Sequence, residues 1–400
     1  MTAQSICVLG LGYIGLPTSS LLATKGYQVR GVDVSPHVVE TINQGSIHIV
    51  EPDLDVLVCA AVSSGNLVAS LEPAPADVFI IAVPTPFSEG HVPDISYVDA
   101  ATDALAPHLA AGNLVILEST SPPGTTERVA ERLAGHRPEL AGQVHVAHCP
   151  ERVLPGHILR ELVDNDRVVG GVDSAATDVA AAFYQQFVRG EVLTTSARTA
   201  EMCKLVENSF RDVNIAFANE LSLICADMGI NVWELISLAN RHPRVNILTP
   251  GPGVGGHCIA VDPWFIVHTA PEQTKLIQTA RHINDDKSDW VVARVLEKAD
   301  RFREPVIACL GLAYKPDVDD LRESPALRIH DALVGALGSA RVLAVEPNLQ
   351  STDERPLVEL DEAIARADVV VALVGHRPFK RVDPEVLKAK VVIDSCGVFR

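Results

Sequence analysis

Ile6-Cys7-Val8-Leu9-Gly10-Leu11-Gly12-Tyr13-Ile14-Gly15 sets a short apolar run directly before the pattern G-x-G-x-x-G. An apolar helical stretch follows through Leu21 and Leu22, and a second run, Gln28-Val29-Arg30-Gly31-Val32, ends on Asp33. Strand, glycine turn, helix, strand and terminal acid is the order of a dinucleotide-binding βαβ unit. The first glycine permits the turn, the second admits a pyrophosphate, and the third lets helix and strand pack. Asp33 is placed to accept both ribose hydroxyls and would repel a 2′-phosphate, so the expected cofactor is NAD. Gly10, Gly12, Gly15 and Asp33 are the candidate cofactor residues.

Working outward, strand and helix signals keep alternating. Val78 to Val83 reads as a buried parallel strand closed by Pro84-Thr85-Pro86, and Leu114 to Leu117 as another, ending in Glu118-Ser119-Thr120-Ser121-Pro122-Pro123-Gly124. Val144 to Ala147 leads to Cys149-Pro150-Glu151-Arg152. In doubly wound sheets ligands lie beyond the carboxyl ends of strands. Thr85, Thr120, Thr126 and Glu151 fall at or just after such ends, which makes them contact candidates; each also suits a helix cap or a turn.

From Thr199 to Met228 the pattern is helical without glycine or proline. A helix that long can join two domains and carry a subunit interface, with Phe217, Leu221 and Ile224 on an apolar face. Lys204, Asn208 and Arg211 recur at i, i+4 and i+7 and share another face, either an anion-facing stripe or a solvated one. A shorter helix, Val232 to Ala239, leads into Asn240-Arg241-His242-Pro243-Arg244, a basic cluster suited to an anionic ligand. Then comes Gly251-Pro252-Gly253-Val254-Gly255-Gly256-His257-Cys258, with Asp262-Pro263 close behind. Glycines that remove bulk around a thiol, with an acid nearby, suit a nucleophile that must meet a large substrate.

Thr274 to Phe302 reads as a further long helix, after which the α/β rhythm restarts with strands at Val306 to Gly311, Arg341 to Val345, Val369 to Leu373 and Val391 to Ile393. Ser324-Pro325 opens a helix, and Lys315 and Arg322 sit in the loop after this unit's first strand. The expected fold class is α/β, two Rossmann-like doubly wound domains joined by a central long-helix segment. The expected divisions are 1–196, 197–302 and 303–400, in keeping with a 400-residue chain too long for one core.

A net charge of −18 argues against nucleic acid and anionic membranes as partners. The eight cysteines show no C-x-x-C pair and no zinc spacing, so they read as reduced thiols of a cytoplasmic protein, and no metal is expected. The N-terminal run reads as a first strand and not as a signal peptide, and no apolar stretch is long enough to cross a bilayer.

These motifs together resemble the NAD-dependent nucleotide-sugar 6-dehydrogenases, the UDP-glucose/GDP-mannose dehydrogenase family. The likeness covers Gly10 to Asp33, Val83 to Phe87, Glu118 to Pro122, Cys149 to Pro155, Arg198 to Phe265 and Gly311 to Pro325. Gly-Pro-Gly-Val-Gly-Gly-His-Cys is similar to the N-acetylhexosamine branch; Ala260 stands where many relatives have proline. The resemblance implies a four-electron oxidation of a UDP-sugar's primary alcohol to a carboxylate with two NAD, serving surface polysaccharide synthesis. It implies Cys258 as nucleophile, Lys204 and Asn208 as oxyanion donors, Asp262 as the water-orienting acid, and Thr120 and Glu151 in support. Arg152, Val153, Lys204, Asn208, Arg211, His242, Arg244, Gly255, Tyr314 and Lys315 match its sugar-nucleotide positions. Tyr13, Ile14, Asp33, Thr85, Thr126 and Arg322 match its NAD positions. A homodimer is expected.

Overall fold

The computed structural model describes residues 4–154, 156–256, 258–352 and 355–400, so His257 and Pro155 lie outside the described residues. The chain divides into two compact units, Met1–Glu207 with Trp264–Ala270, and Asn208–Pro263 with Pro271–Arg400.

The first unit runs β1 (Ser5–Leu9), α1 (Gly15–Thr24), β2 (Gln28–Val32), α2 (Pro36–Asn43), α3 (Leu54–Ser63), β3 (Leu67–Ser70) and β4 (Val78–Ile81). A small hairpin, β5 (Phe87–Ser88) and β6 (Val92–Pro93), precedes α4 (Ser96–Leu105), β7 (Leu114–Leu117), α5 (Thr125–His136) and β8 (His145–His148). The unit continues with α6 (Ile158–Asp164), β9 (Arg167–Gly171), α7 (Ser174–Tyr184) and β10 (Val192–Ser196). One sheet takes the order β10-β9-β8-β7-β4-β1-β2-β3, parallel throughout except where β9 meets β8. The inner strands β4 and β7 are buried along their whole length, and their Val, Ile and Leu runs feed both faces of the sheet. Ile6, Val8, Val78, Ile80, Leu114 and Ile116 enter one core, while Cys7, Leu9, Phe79, Ile81, Val115 and Leu117 enter the other. That two-sided burial is why these strands read as continuous apolar runs with no alternation. The strand order reverses between β1 and β4, the switch point at which open α/β sheets take their ligands, and Gly10 follows β1 there.

Strands β3, β9 and β10 were not among the expected ones. Each is short, and β10 is largely exposed, with Thr-Thr-Ser at its end, so no apolar run marks it.

Helix α8 (Ala197–Met228) passes from the first unit into the second, followed by α9 (Val232–Ala239), α10 (Asp262–Thr269) and α11 (Lys275–Ala299). Helix α11 stops short of the expected Phe302 because Asp300 caps it and a turn follows. Beyond it stand β11 (Ile307–Leu310), α12 (Pro325–Leu337), β12 (Val342–Val345), α13 (Leu360–Arg366), β13 (Val369–Ala372), α14 (Pro384–Leu387) and β14 (Val391–Asp394). Their sheet is wholly parallel in the order β12-β11-β13-β14. Ser324 caps α12 from the Leu327 amide, with Pro325 at its first position. On α8, Phe217 and Ile224 are about half exposed and Leu221 is half-buried.

A buried polar layer joins α8 to α11. The Arg281 guanidinium donates to Asp212 at 2.6 Å and also pairs with Asp285, and Asn284 donates to Asp212 at 2.8 Å. Asp212 and Arg281 are essentially inaccessible to solvent. Burial outweighs the attraction of Arg281 and pushes the Asp212 carboxyl above its ordinary range. Substituting Arg281→Met leaves that carboxylate buried with only an amide for company. Urea unfolding should show a loss of about 3–5 kcal/mol, largely restored by the further change Asp212→Leu. A single variant within about 0.5 kcal/mol of the parent would show that the pair does not secure the two helices.

Candidate active site

At the first turn, Gly10 has φ 93°, and a methyl built on it would meet the Ala82 carbonyl oxygen at 2.5 Å. A methyl on Gly15 would strike the Gly10 oxygen at 1.8 Å, so helix α1 can approach the strand only through glycine. One on Gly12 meets nothing within 4 Å. That open space lies before α1, whose N-cap Ile14 offers no side-chain acceptor to the first-turn amides. Tyr13 is exposed beside it. Asp33 holds the turn, accepting the Leu11 amide at 3.1 Å and the Ser35 amide at 2.9 Å. An open glycine cradle, a helix N-terminus without a side-chain cap and a strand-end carboxylate fit a dinucleotide.

Around the carboxyl ends of β4, β7 and β8 the expected polar residues meet. Thr85 donates to the Thr120 carbonyl at 2.6 Å. Glu151 is buried, with one oxygen on Arg167 at 2.8 Å and the other on the Arg152 amide at 2.6 Å. Arg152 pairs with Glu207 at 2.7 Å, and Val153 packs against the core. Thr126 is fully buried, and both its amide and its hydroxyl go to Glu201. That carboxylate also takes the Gly124 amide, so it serves the N-terminus of α5. Glu118, sealed at the end of β7, accepts the Tyr184 hydroxyl at 2.7 Å. Burial and the negative charge of Glu151 push its carboxyl up to about 7. Glu201, Glu118, Arg167 and Tyr184 were not anticipated. Their one sequence signal is a charged or phenolic group inside or beside an apolar run.

In the second unit the glycine loop is laced on three sides. Its Gly251 amide donates to Asn219 of α8 at 2.8 Å, Asn219 donates to Asn284, and Ser288 of α11 donates to the Pro252 carbonyl at 2.9 Å. The Gly256 amide reaches the Arg322 carbonyl at 3.0 Å. A methyl on Gly255 would lie 2.4 Å from the Glu323 oxygen, and one on Gly256 2.7 Å from the Tyr314 ring. The sequence reading assigned these glycines to room around the thiol; close packing against residues 314–325 is what requires them here. Cys258 follows, exposed, and its carbonyl accepts the Asp262 amide at 2.8 Å as the chain turns into α10. Asn208 donates to Asp262 at 2.6 Å, and both are buried. Lys204, half-buried, stands one helical turn before Asn208, and Arg211 is exposed. The His242 Nδ1 accepts the Arg244 amide at 3.3 Å, with both side chains exposed.

The turn after β11 repeats the geometry of the first. Gly311 also has φ 93°, and its amide meets Val345 at 2.8 Å, as the Gly10 amide meets Val32. Here the strand-end acid, Glu346, is sealed: it accepts the amides of Leu312 and Ala313 and pairs with buried His376 at 2.9 Å. Lys315 lies 5.5 Å from the Tyr314 ring centroid, and Arg322 pairs with Asp320 at 2.6 Å.

The sequence matches the NAD binding domain of the UDP-glucose/GDP-mannose dehydrogenase family over residues 4–188, its central domain over 198–286 and its UDP binding domain over 308–400. The chain belongs to that family. It is an NAD-dependent nucleotide-sugar dehydrogenase. It is 57% identical over 409 residues to an NDP-N-acetyl-D-galactosaminuronic acid dehydrogenase of Ralstonia nicotianae, covering 99% of this chain and 96% of that one. It is 54% identical over 421 residues to the UDP-N-acetyl-D-mannosamine dehydrogenase of Escherichia coli K12, each covered completely. The structure of a UDP-D-ManNAc dehydrogenase from Pyrococcus horikoshii superposes with a TM-score of 0.89 at 42% identity, over 99% of this chain and 96% of that one. Among the described residues no helix is long and apolar enough to cross a membrane, and no cluster of His, Cys, Asp or Glu is arranged to hold a metal ion.

The raised Glu118 carboxyl gives this dehydrogenase a measurable pH signature. Unfolded, the group titrates near 4.5; folded, near 7. Between those values the folded chain keeps a proton that the unfolded chain has released. The contribution is therefore whole below the lower value and lost as pH rises through the upper one. Glu118→Gln still accepts the Tyr184 hydroxyl but does not titrate. From about pH 5 to about pH 8 the variant should gain roughly 2–3 kcal/mol relative to the parent in urea unfolding. Parallel pH profiles would contradict this.

Proposed function

We propose that this dehydrogenase oxidises C6 of UDP-N-acetyl-D-mannosamine to the carboxylate, as a step toward surface polysaccharide precursors. The observation that carries the reading is Cys258, exposed at the end of a rigidly laced glycine loop, in a chain whose relatives at 54% and 42% identity are named for that sugar. What NAD supplies when bound is a hydride acceptor, used twice, first on the alcohol carbon and then on its thiol adduct. Gly10, Gly12, Tyr13, Ile14, Gly15, Asp33, Thr85 and Arg322 are the residues proposed to hold it; Thr126, buried and committed to Glu201, acts by holding the N-terminus of α5.

The sulfur of Cys258 adds to the aldehyde carbon and keeps it tetrahedral with its remaining hydrogen. Lys204 and Asn208 donate to the oxygen that gains charge, and Lys204 exchanges its proton. Asp262, held by Asn208, orients the water that displaces sulfur from the thioester and returns the thiol. Glu151 is already committed to Arg167 and the Arg152 amide, so it and Thr120 act by holding the strand-end loops. Arg152, Val153, Arg211, His242, Arg244, Gly255, Tyr314 and Lys315 are assigned to the sugar nucleotide. Residues 1–196 would then bind NAD, 197–302 carry catalysis and dimer contacts through Phe217, Leu221 and Ile224, and 303–400 bind UDP.

The Ralstonia nicotianae relative favours a second reading, the same oxidation on a galacto-configured N-acetylhexosamine nucleotide. UDP-N-acetylmannosamine, UDP-N-acetylgalactosamine, UDP-N-acetylglucosamine and UDP-glucose, assayed side by side, separate these. The highest kcat/KM should fall on the mannosamine compound, with about two NADH formed per sugar consumed. A preference for another sugar overturns the substrate; one NADH per sugar, with free aldehyde, overturns the chemistry. Light scattering should return the mass of two chains, and a monomer at assay concentration would remove the dimer contacts.

A further inference from the structure

Lys287 lies on α11 of a strongly acidic protein, is 3% exposed, and among the described residues has no carboxylate at ion-pair distance. Its Nζ donates to Ser222 Oγ at 2.5 Å and lies 4.3 Å from the centroid of the Trp290 ring. An ammonium carries three N–H groups, so one hydroxyl and one ring face leave donor capacity over. An ammonium in such surroundings either gives up its proton or finds an anion; burial pushes this amine down to about 8.

The amine lines a pocket of about 400 Å³, walled by Ser222 and Cys225 of α8, Trp233 of α9, Pro250, and the Val391–Asp394 strand. Lys287, Trp290, Arg294 and Lys298 all line it from α11, so three cations and one indole recur on a single helical face. The one acid on the wall, Asp394, is spent: its oxygens accept the amides of Cys396, Gly397, Val398 and Phe399. Arg294 and Lys298 share only the exposed Glu297. The pocket therefore presents positive charge and two indoles, each already carrying a cation on one face, Lys287 on Trp290 and Arg400 on Trp233, at a size ordinary for a small-molecule site.

We propose that this pocket binds a small organic anion, a carboxylate or phosphate monoester with a flat body, its charge on Lys287 and its body against Trp233 and Trp290. The site is independent of the reaction proposed above. Its wall includes Pro250, immediately before the glycine loop, and from α8 it takes Ser222, Cys225 and Ala226 and none of Phe217, Leu221 and Ile224.

Two of the three tryptophans line the pocket, so intrinsic fluorescence reports on it. The full-length protein is titrated with phenyl phosphate, benzoate and inorganic phosphate, alongside Lys287→Met and Trp290→Phe. A saturable change with phenyl phosphate or benzoate is expected, with inorganic phosphate weaker for want of a flat body. Lys287→Met should bind about tenfold more weakly or worse. Independently of any variant, the better ligand at saturation should slow acetylation of Lys287 by acetic anhydride at least about tenfold, read by peptide mass. No saturable change with any of the three anions, equal binding by Lys287→Met, or unslowed acetylation would each overturn the proposal.

Discussion

The buried ion pair between Asp212 and Arg281 is the constraint on which the geometry of the second unit rests. Two charges removed from water hold only when each satisfies the other, so α8 and α11 are locked in one register. That register sets Asn219 and Asn284 side by side, and Asn219 in turn takes the Gly251 amide. Ser288, on the same face of α11, takes the Pro252 carbonyl. The start of the glycine loop is thus fixed by a chain of polar contacts that begins about two helical turns away on the same helix pair. Its far end is fixed by the Arg322 carbonyl and the Tyr314 ring. Cys258 follows directly on the residues so fixed, and its own carbonyl accepts the Asp262 amide.

The two nucleotide-type turns show how one backbone design takes two uses. Gly10 and Gly311 share φ and the same amide-to-strand bond, and both are followed by a leucine whose amide meets the strand-end acid. Asp33 remains half-buried at a turn that leads into an open cradle and a helix terminus with no side-chain cap. Glu346 is closed over by His376 and a second amide, and Gly311 is followed by Leu312, Ala313, Tyr314 and Lys315, with no further glycine in the turn. The first turn suits a dinucleotide pyrophosphate. The second spends its acid on its own fold and leaves Tyr314 and Lys315 as its polar and aromatic surface.

Much of the fold was legible because two-sided burial writes itself into composition: β4, β7, β11 and β13 are apolar from end to end. The dinucleotide turn was legible because it needs residue types that few other settings require. The support was far less so. Asp212 and Asn219 stand seven apart on α8, and Arg281, Asn284 and Ser288 recur at helical spacing on α11. Such a polar stripe looks like a solvated face until its partner stripe is known, and no local pattern says that the two meet. Strand β10, exposed and threonine-rich, carried no burial signal at all. The loop glycines were read as room around a thiol, but the demand for them comes from Tyr314 and Glu323, some sixty residues on.

The central claim is that Cys258 carries the oxidised sugar as a thioester. It is tested most directly by quenching the enzyme in acid during steady turnover and mapping the adduct by peptide mass. A uronyl adduct confined to the Cys258 peptide, absent without NAD and sensitive to hydroxylamine, is the predicted result. NADH formation at full rate with that peptide unmodified, or an adduct on another residue, would contradict it.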